Sequence, residues 1–283
     1  MPCELVGLAD LDGEKRRLAE QYGIEFRRDF RELLPLVDAL AVAAPASTHF
    51  EIAADCLRAG KHLLVEKPLA LSLSHAQKLV ELAKQGNLVL AAGHLYRMNP
   101  AVIRLKDELK DMGRIHYANL RYINLNPQPP VDCSIIFDYG SHLIDLLLFL
   151  LARTPEKVYC NMPHPPPPER EDYAQVLLDW GDFSASLELS WLHPQKRRDA
   201  WFIASRSSIY TDFLEQTMRK YTGNTELDIP LNWQEPLKEE LKHFIECVER
   251  GKKPINSGEE ACPVVRLCEL ALESSRTGRE VKV

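Results

Sequence analysis

Two short motifs carry side chains suited to general acid–base chemistry. Glu66-Lys67-Pro68 follows an apolar run, and Asp138-x-Gly140-x-His142-x-x-Asp145 opens a greasy helical stretch. Residues 138 and 142 are four apart, so on a helix both side chains meet on one face. A neutral imidazole, with an ordinary pKa of about 6.5, can accept a proton near neutrality. A nearby lysine can stabilise developing alkoxide charge while a carboxylate orients the array. Structural alternatives stand beside this chemistry. Asp138 can be an N-cap, His142 can cap a buried helix, and Glu66-Lys67-Pro68 can be a solvated strand end before a proline turn. Asp145 lies inside the greasy run and reads as structural.

The elements that must position these motifs fall into two patterns. Over the first 95 or so residues, short apolar runs alternate with helical periodicity. ELVGLA (4–9), DALAVAA (38–44), HLLVE (62–66) and NLVLAAG (87–93) read as strands. Helices lie between them, one capped by Asp12 and ended by Gly23, another stopped by Gly60. Nearly continuous apolar strands separated by helices imply a parallel, doubly wound sheet covered on both faces. Its strand-end loops point toward a ligand.

After Asn99 the pattern changes. Pro100 opens a helix that ends at Gly113, and strand follows strand thereafter. In FSASLELSW, Phe183, Ala185, Leu187, Leu189 and Trp191 face one way and Ser184, Ser186, Glu188 and Ser190 the other. Period two marks a strand with one buried face. This half therefore reads as an α+β domain with a largely antiparallel open sheet. Two helices close it, the first with an apolar stripe of Leu237, Leu241, Phe244, Ile245 and Val248. The proline-rich run at 161–170 reads as a stiff surface connection. The domains divide at 1–96 and 97–283.

Composition narrows the function classes. With 283 residues, 45% hydrophobic and 27% charged, the chain is of ordinary globular make-up. Its net charge of -6 argues against a nucleic-acid partner. The seven cysteines include no C-x-x-C and no metal-like cluster, so no metal is expected and a reducing compartment fits best. LIDLLLFLLA (143–152) is too short to span a bilayer, and no secretory signal is visible, so a cytoplasmic protein without a membrane partner is expected.

Four landmarks occur in order: Glu66-Lys67-Pro68, Gly93-His94 through Arg97-x-Asn99-Pro100, the Asp138–Asp145 motif, and a C-terminal EPLKEELKHFIECVERGKKP. With Ala43-Ala44-Pro45 and Ser47-Thr48-His49 they resemble the Gfo/Idh/MocA family, the glucose–fructose oxidoreductase and inositol dehydrogenase group. The resemblance implies a Rossmann-like domain holding NAD, or less readily NADP, and a sugar in the cleft beside the second domain. It implies Lys67, Asp138 and His142 as the catalytic group. Asp10, Ala44, Pro45, His49, Glu66 and Lys67 would line the cofactor, and Asp10, at the end of the ELVGLAD strand, would favour NAD over a 2'-phosphorylated cofactor. Lys67, Arg97, Asn99 and His142 would meet the substrate. His94 would line the cleft, while His62, His75, His116, His164, His193 and His243 receive no functional role. Family members commonly associate through the open sheet face, so a homodimer or homotetramer is expected. The apolar face of FSASLELSW could supply that surface or face its own domain's helices.

Ser190-Trp191 through Lys196 and Arg198 is similar to a branch that oxidises nucleotide-linked amino sugars, the UDP-N-acetylglucosamine 3-dehydrogenases and related UDP-hexuronate dehydrogenases. Lys196, Arg197 and Arg198 form a local positive cluster that a diphosphate would favour, or else a solvated basic turn. Lys196 and Arg198 are therefore further substrate candidates. The expected reaction is hydride transfer between a ring carbinol and nicotinamide. Alternatives are a cyclitol, free aldose or dihydrodiol substrate, or a non-catalytic sugar-binding homologue.

The same resemblance implies a first strand and a G-x-G-x-x-G turn that the sequence does not contain, since ELVGLAD matches the family's second strand. The expectation is a late start or a shortened chain. Strand one would occupy the middle of the sheet, so ELVGLA and DALAVAA should be separated, or re-paired across a gap.

Overall fold

The computed structural model describes residues 3–163 and 171–283. His164 and most of the proline-rich connection lie outside the described residues. The apolar runs of the first half become β1 (Gly7–Ala9), β2 (Glu25–Arg27), β3 (Ala39–Val42), β4 (His62–Val65) and β5 (Leu90–Ala92). Between them lie α1 (Arg16–Tyr22), α2 (His49–Arg58) and α3 (Leu73–Gln85). The caps are those expected: Asp12 accepts from the Glu14 N–H in the turn before α1, and Gly23 ends that helix at a φ of 65°.

All pairing in this half is parallel, yet it is divided. β1 pairs only with β2, and β3-β4-β5 form a separate sheet. Of the two outcomes expected for the first strands, the structure adopts separation. The short β2 was not foreseen, because Glu25-Phe26-Arg27 carries a single apolar residue. Burial follows the division: β4 and β5 are almost wholly buried, while Ala41 of β3 is exposed and β1 is half-buried.

The second half follows as α4 (Pro100–Glu108), β6 (Ile115–Leu125), α5 (Ser141–Leu151), β7 (Lys157–Asn161), β8 (Tyr173–Asp179), β9 (Ser184–Ser190) and β10 (Leu192–Ala204). Then come β11 (Ser208–Asp212), β12 (Thr217–Thr222), β13 (Thr225–Ile229), α6 (Pro236–Arg250), α7 (Gly258–Thr277) and β14 (Val281–Lys282). Among the described residues nine strands make one sheet in the order β13-β12-β11-β10-β6-β9-β8-β7-β14. Only the β6–β9 pair within it is parallel. Phe183, Ala185, Leu187, Leu189 and Trp191 are buried, and Leu189 packs near Gly140 at the head of α5. That face of β9 therefore covers its own domain's helix, leaving the opposite face open.

One reading of the second half needs correction. Among the residues of the α6 stripe, Leu237 and Leu241 are exposed, and the face actually buried carries Glu240, Phe244 and Cys247. The helix is rotated because a buried hydrogen bond from Asn256 holds Glu240 inward. Moreover, α7 packs against α3 and β5 as well as α5 and β7, so the C-terminal helices brace both halves.

Candidate active site

The loops at the carboxyl ends of β3, β4 and β5 meet the start of α5. Gly93 follows β5, and a β-carbon there would lie 2.7 Å from Glu66 Oε2 and 3.1 Å from the Glu66 α-carbon. Glycine suits this close approach, which seats the Glu66-Lys67-Pro68 turn against Gly93-His94. The Lys67–Pro68 bond is cis. Glu66 accepts the Lys67 backbone N–H at 3.2 Å, and Lys67 extends across to Asp138. The ammonium donates to Asp138 Oδ1 at 2.7 Å and to the Asp138 carbonyl at 2.9 Å. Both side chains keep about a sixth of their surface exposed, 16% and 15%, so the pair faces the cleft.

Asp138 lies in a π-type turn, Ile136–Gly140, that runs into α5. The spacing predicted one ordinary helical face for residues 138 and 142, whereas the wider turn shifts their relation at that point. Lys67 binds Asp138 directly. His142 stands beside the pair in the first turn of α5, 6% exposed and with Nδ1 unpaired among the described residues. Burial, reinforced by the positive charge of Lys67 and by His94 and Arg198, holds the His142 imidazole well below its usual pKa. It is neutral at pH 7. Its ring stacks on Tyr122 at 5.1 Å with planes 2° apart and meets the edge of Tyr96 at 5.4 Å.

Several sequence candidates are structurally occupied. Arg97 is 2% exposed; it grips Asp145 through Nε and Nη2 and donates to the Ile255 carbonyl. Asn99 is 0% exposed, caps α4 through the Ala101 N–H and donates to the Phe213 carbonyl. Neither side chain is free to hold a substrate, because a buried polar group with its partners filled has nothing left to offer. The reading of Asp145 as structural agrees with this ion pair. His94 is fully packed beside Asp145, its Nδ1 3.8 Å from the carboxylate, and burial lowers its pKa.

His49 is similarly corrected from cofactor contact to brace. One ring nitrogen lies 2.8 Å from the Ala44 carbonyl and the other 2.7 Å from the Pro68 carbonyl, tying the loop after β3 to the loop after β4. Ala44 and Pro45 sit in that first loop, and the Ser47 N–H reaches Asp132 of the second domain at 3.0 Å. Asp10 follows β1 and accepts the Asp12 N–H at 2.8 Å.

The basic cluster is divided by strand alternation. Arg198 pairs in register with Tyr122 and lies over its ring, 4.3 Å from the centroid. Arg197 turns to Gln195, and Lys196 is exposed. Of the three, only Arg198 joins the aromatic group around His142.

Sequence reasoning missed Glu240. It is 1% exposed, accepts from Asn256 Nδ2 at 3.0 Å, and leaves Oε2 unpaired among the described residues. Asn256 in turn binds the Ala92 carbonyl at 2.7 Å and accepts its N–H, locking β5 just before Gly93. Burial first, then the nearby charge of Glu66, pushes the Glu240 carboxyl up to about 8. A charged residue on the inward side of a helical pattern was the available signal.

Residues 2–94 match the model of an oxidoreductase family with an NAD-binding Rossmann fold, and residues 75–210 match the GFO/IDH/MocA C-terminal domain. A UDP-N-acetylglucosamine 3-dehydrogenase of Acidithiobacillus ferrooxidans is 35% identical over 159 residues. These are 55% of this chain and 49% of that protein, so the match spans about half the relative's length. A myo-inositol 2-dehydrogenase of Thermotoga maritima is 27% identical over 99% of this chain and 91% of its own length. The solved structure of the Acidithiobacillus enzyme superposes with a TM-score of 0.88 at 24% identity, covering 96% of this chain and 90% of that one. No helix among the described residues is long and apolar enough to cross a membrane. The chain belongs to the Gfo/Idh/MocA family of NAD-binding oxidoreductases.

Proposed function

We propose that this chain oxidises a ring carbinol of a sugar or nucleotide sugar, with Lys67, Asp138 and His142 as the catalytic group. The observation that carries the reading is the Lys67–Asp138 pair, open to the cleft at the end of β4 and adjoining a neutral, buried His142. Lys67, oriented by the two oxygens of Asp138, points positive charge at the place where a substrate hydroxyl would become an alkoxide. His142 takes the hydroxyl proton, and its neutral form is ready to do so because burial and Lys67 disfavour the imidazolium. The nicotinamide, when bound, supplies the hydride acceptor.

The fit of the residues to that cofactor is uneven. Asp10 suits the adenosine ribose and favours NAD, while Ala44, Pro45, Glu66 and Lys67 stand at the nicotinamide end. The described residues supply no glycine-rich turn for the pyrophosphate; Gly13 only enters a short 3-10 turn after Asp12. The division at residues 96 and 97 remains our proposed domain boundary, with Arg198 the basic residue available to substrate. A cyclitol is the second reading, favoured by the inositol dehydrogenase likeness across 99% of the chain.

The same reading takes the protein as a cytoplasmic homodimer or homotetramer. Tyr117, Tyr159, Tyr173 and Leu177 are exposed on the open face of the large sheet, a surface suited to self-association. Nicotinamide reduction followed by absorbance across a panel of sugars and cyclitols tests the function. Lys67→Met and His142→Ala should each lower turnover by about 10²–10⁴-fold. Unchanged turnover in both would remove the catalytic assignment.

A further inference from the structure

We propose that Arg198 is the anchor of a subsite for an anionic oxygen group, a carboxylate or phosphoryl substituent, carried on the sugar beside the reacting centre. This rests on the sugar-oxidoreductase reading and narrows its substrate class. The starting observation is an uncompensated cation. Arg198 is partly buried, its Nε is shielded from solvent without a hydrogen-bond partner, and it forms no ion pair among the described residues.

Two neighbouring arginines show what this fold does when a guanidinium is meant to be structural. Arg97 is gripped by Asp145 from Nε and Nη2, and Arg121 is gripped by Asp199 through bonds of 2.8 and 2.6 Å. Asp199 is the next residue in sequence after Arg198, but strand alternation puts its carboxylate on the opposite face of the sheet. There it also accepts from the Tyr210 hydroxyl. Asp212, on the adjoining strand, is occupied by the Leu214 and Glu215 N–H groups. Arg198 is thus left with aromatic neighbours: the Tyr122 ring at 4.3 Å and, around it, Tyr96 and Tyr139.

Stacking on an aromatic face favours a cation, but neither it nor a neighbouring tyrosine hydroxyl supplies a counter-charge to the guanidinium fork, whose Nε has no hydrogen-bond partner among the described residues. Taking such a group out of water without a counter-charge is costly, and an oxyanion recovers that cost through paired N–H···O bonds. Polar groups stand nearby to complete recognition. The Tyr96 hydroxyl is buried beside the Arg198 guanidinium, and Tyr139 donates to Asn124 at 2.8 Å.

The location distinguishes this subsite from a diphosphate site on the exposed turn. Tyr122, the ring beneath Arg198, is the ring that stacks on His142. A group bound at Arg198 therefore lies within the same aromatic cluster as the proposed proton acceptor, at the sugar end of a substrate. Lys196, in contrast, is exposed and contributes no side chain to this cluster.

The test is calorimetric binding by the full chain of four probes: D-glucose, D-glucuronate, glucose 6-phosphate and inorganic phosphate. Wild type should bind glucuronate or glucose 6-phosphate at least about ten-fold more tightly than glucose. Tighter glucuronate assigns a carboxylate, and tighter glucose 6-phosphate a phosphoryl group. Arg198→Gln should abolish the preference and leave glucose binding in place, and Arg198→Lys should keep only part of it. Equal affinity of wild type for charged and neutral sugars overturns the proposal whatever the variants do. So does an anion preference that survives in Arg198→Gln, or inorganic phosphate binding as tightly as either charged sugar. Because binding is read without turnover, the two readings can fail separately. Anionic-sugar binding by a chain that oxidises no sugar would sink the proposed function and leave this subsite standing. Turnover of neutral sugars with no anion preference would do the reverse.

Discussion

The parallel and antiparallel halves of this molecule start from strands of similar apolar character and end with different degrees of closure. In the second half, nine strands among the described residues share one hydrogen-bonded sheet, and the central β9 and its flanking residues bury five side chains to 8% exposure or less. In the first, five short strands are split into a pair and a triplet, with Ala41 exposed at the division. A strand gains from neighbours on both sides; an edge strand such as β3, paired on one side, turns half its backbone groups outward and gives its side chains less cover. The difference falls across the site. Lys67 stands at the end of the well-buried β4, whereas Asp10 stands at the end of the poorly supported β1.

The largest expected contrast is in core truncation. Leu187→Ala in β9 should destabilise the protein by about 2–5 kcal/mol, as buried leucine truncations do, whereas Leu8→Ala in β1 should cost less than about 1 kcal/mol. Urea titration of both variants measures this, and equal costs would break the comparison. Local opening should follow the same order. Backbone amides of β1 and β2 should exchange hydrogen at least about ten-fold faster than those of β6 and β9. Similar protection in all four strands would mean that the split sheet is held as firmly as the continuous one.

A pH-dependent effect sharpens the comparison at the junction, where Glu240 and Asn256 fasten α6 to β5. The Glu240 carboxyl is raised to about 8 by burial and by Glu66, so the folded state keeps a proton that the unfolded chain loses near pH 4.5. Its contribution to stability is therefore complete below about pH 4.5 and declines as pH rises through 8, by up to about 1.4 kcal/mol per pH unit. Glu240→Gln should flatten the decline in melting temperature over that window. An unchanged profile would show that this carboxyl does not control it.

Much of this was legible in the residues. Asp12 and Gly23 marked a capped turn and a helix end through local chemistry, and FSASLELSW announced its buried face through alternation alone. The ordered motifs singled out Lys67, Asp138 and His142, which the fold brings together. The π-type turn escaped notice because a backbone widening leaves no clear trace in residue type. Arg97, Asn99 and His49 looked available because a polar side chain does not reveal which carbonyl or carboxylate already holds it. The strands β11–β13 were missed for a related reason: runs such as Thr225–Ile229 are mostly exposed and polar, and pairing with neighbours makes them strands.

By itself, then, the sequence determined the alternation of elements and the two-part architecture, set by local backbone preference and hydrophobic periodicity, and it named the side chains of the proposed catalytic group. Tertiary structure alone decided which charges are spent and which remain. Arg97 and Arg121 each acquired a carboxylate, while Arg198 acquired a tyrosine ring because its sequence neighbour Asp199 points through the other side of the sheet. Counter-charge depends on distance and direction in space, and a strand sends adjacent residues to opposite faces.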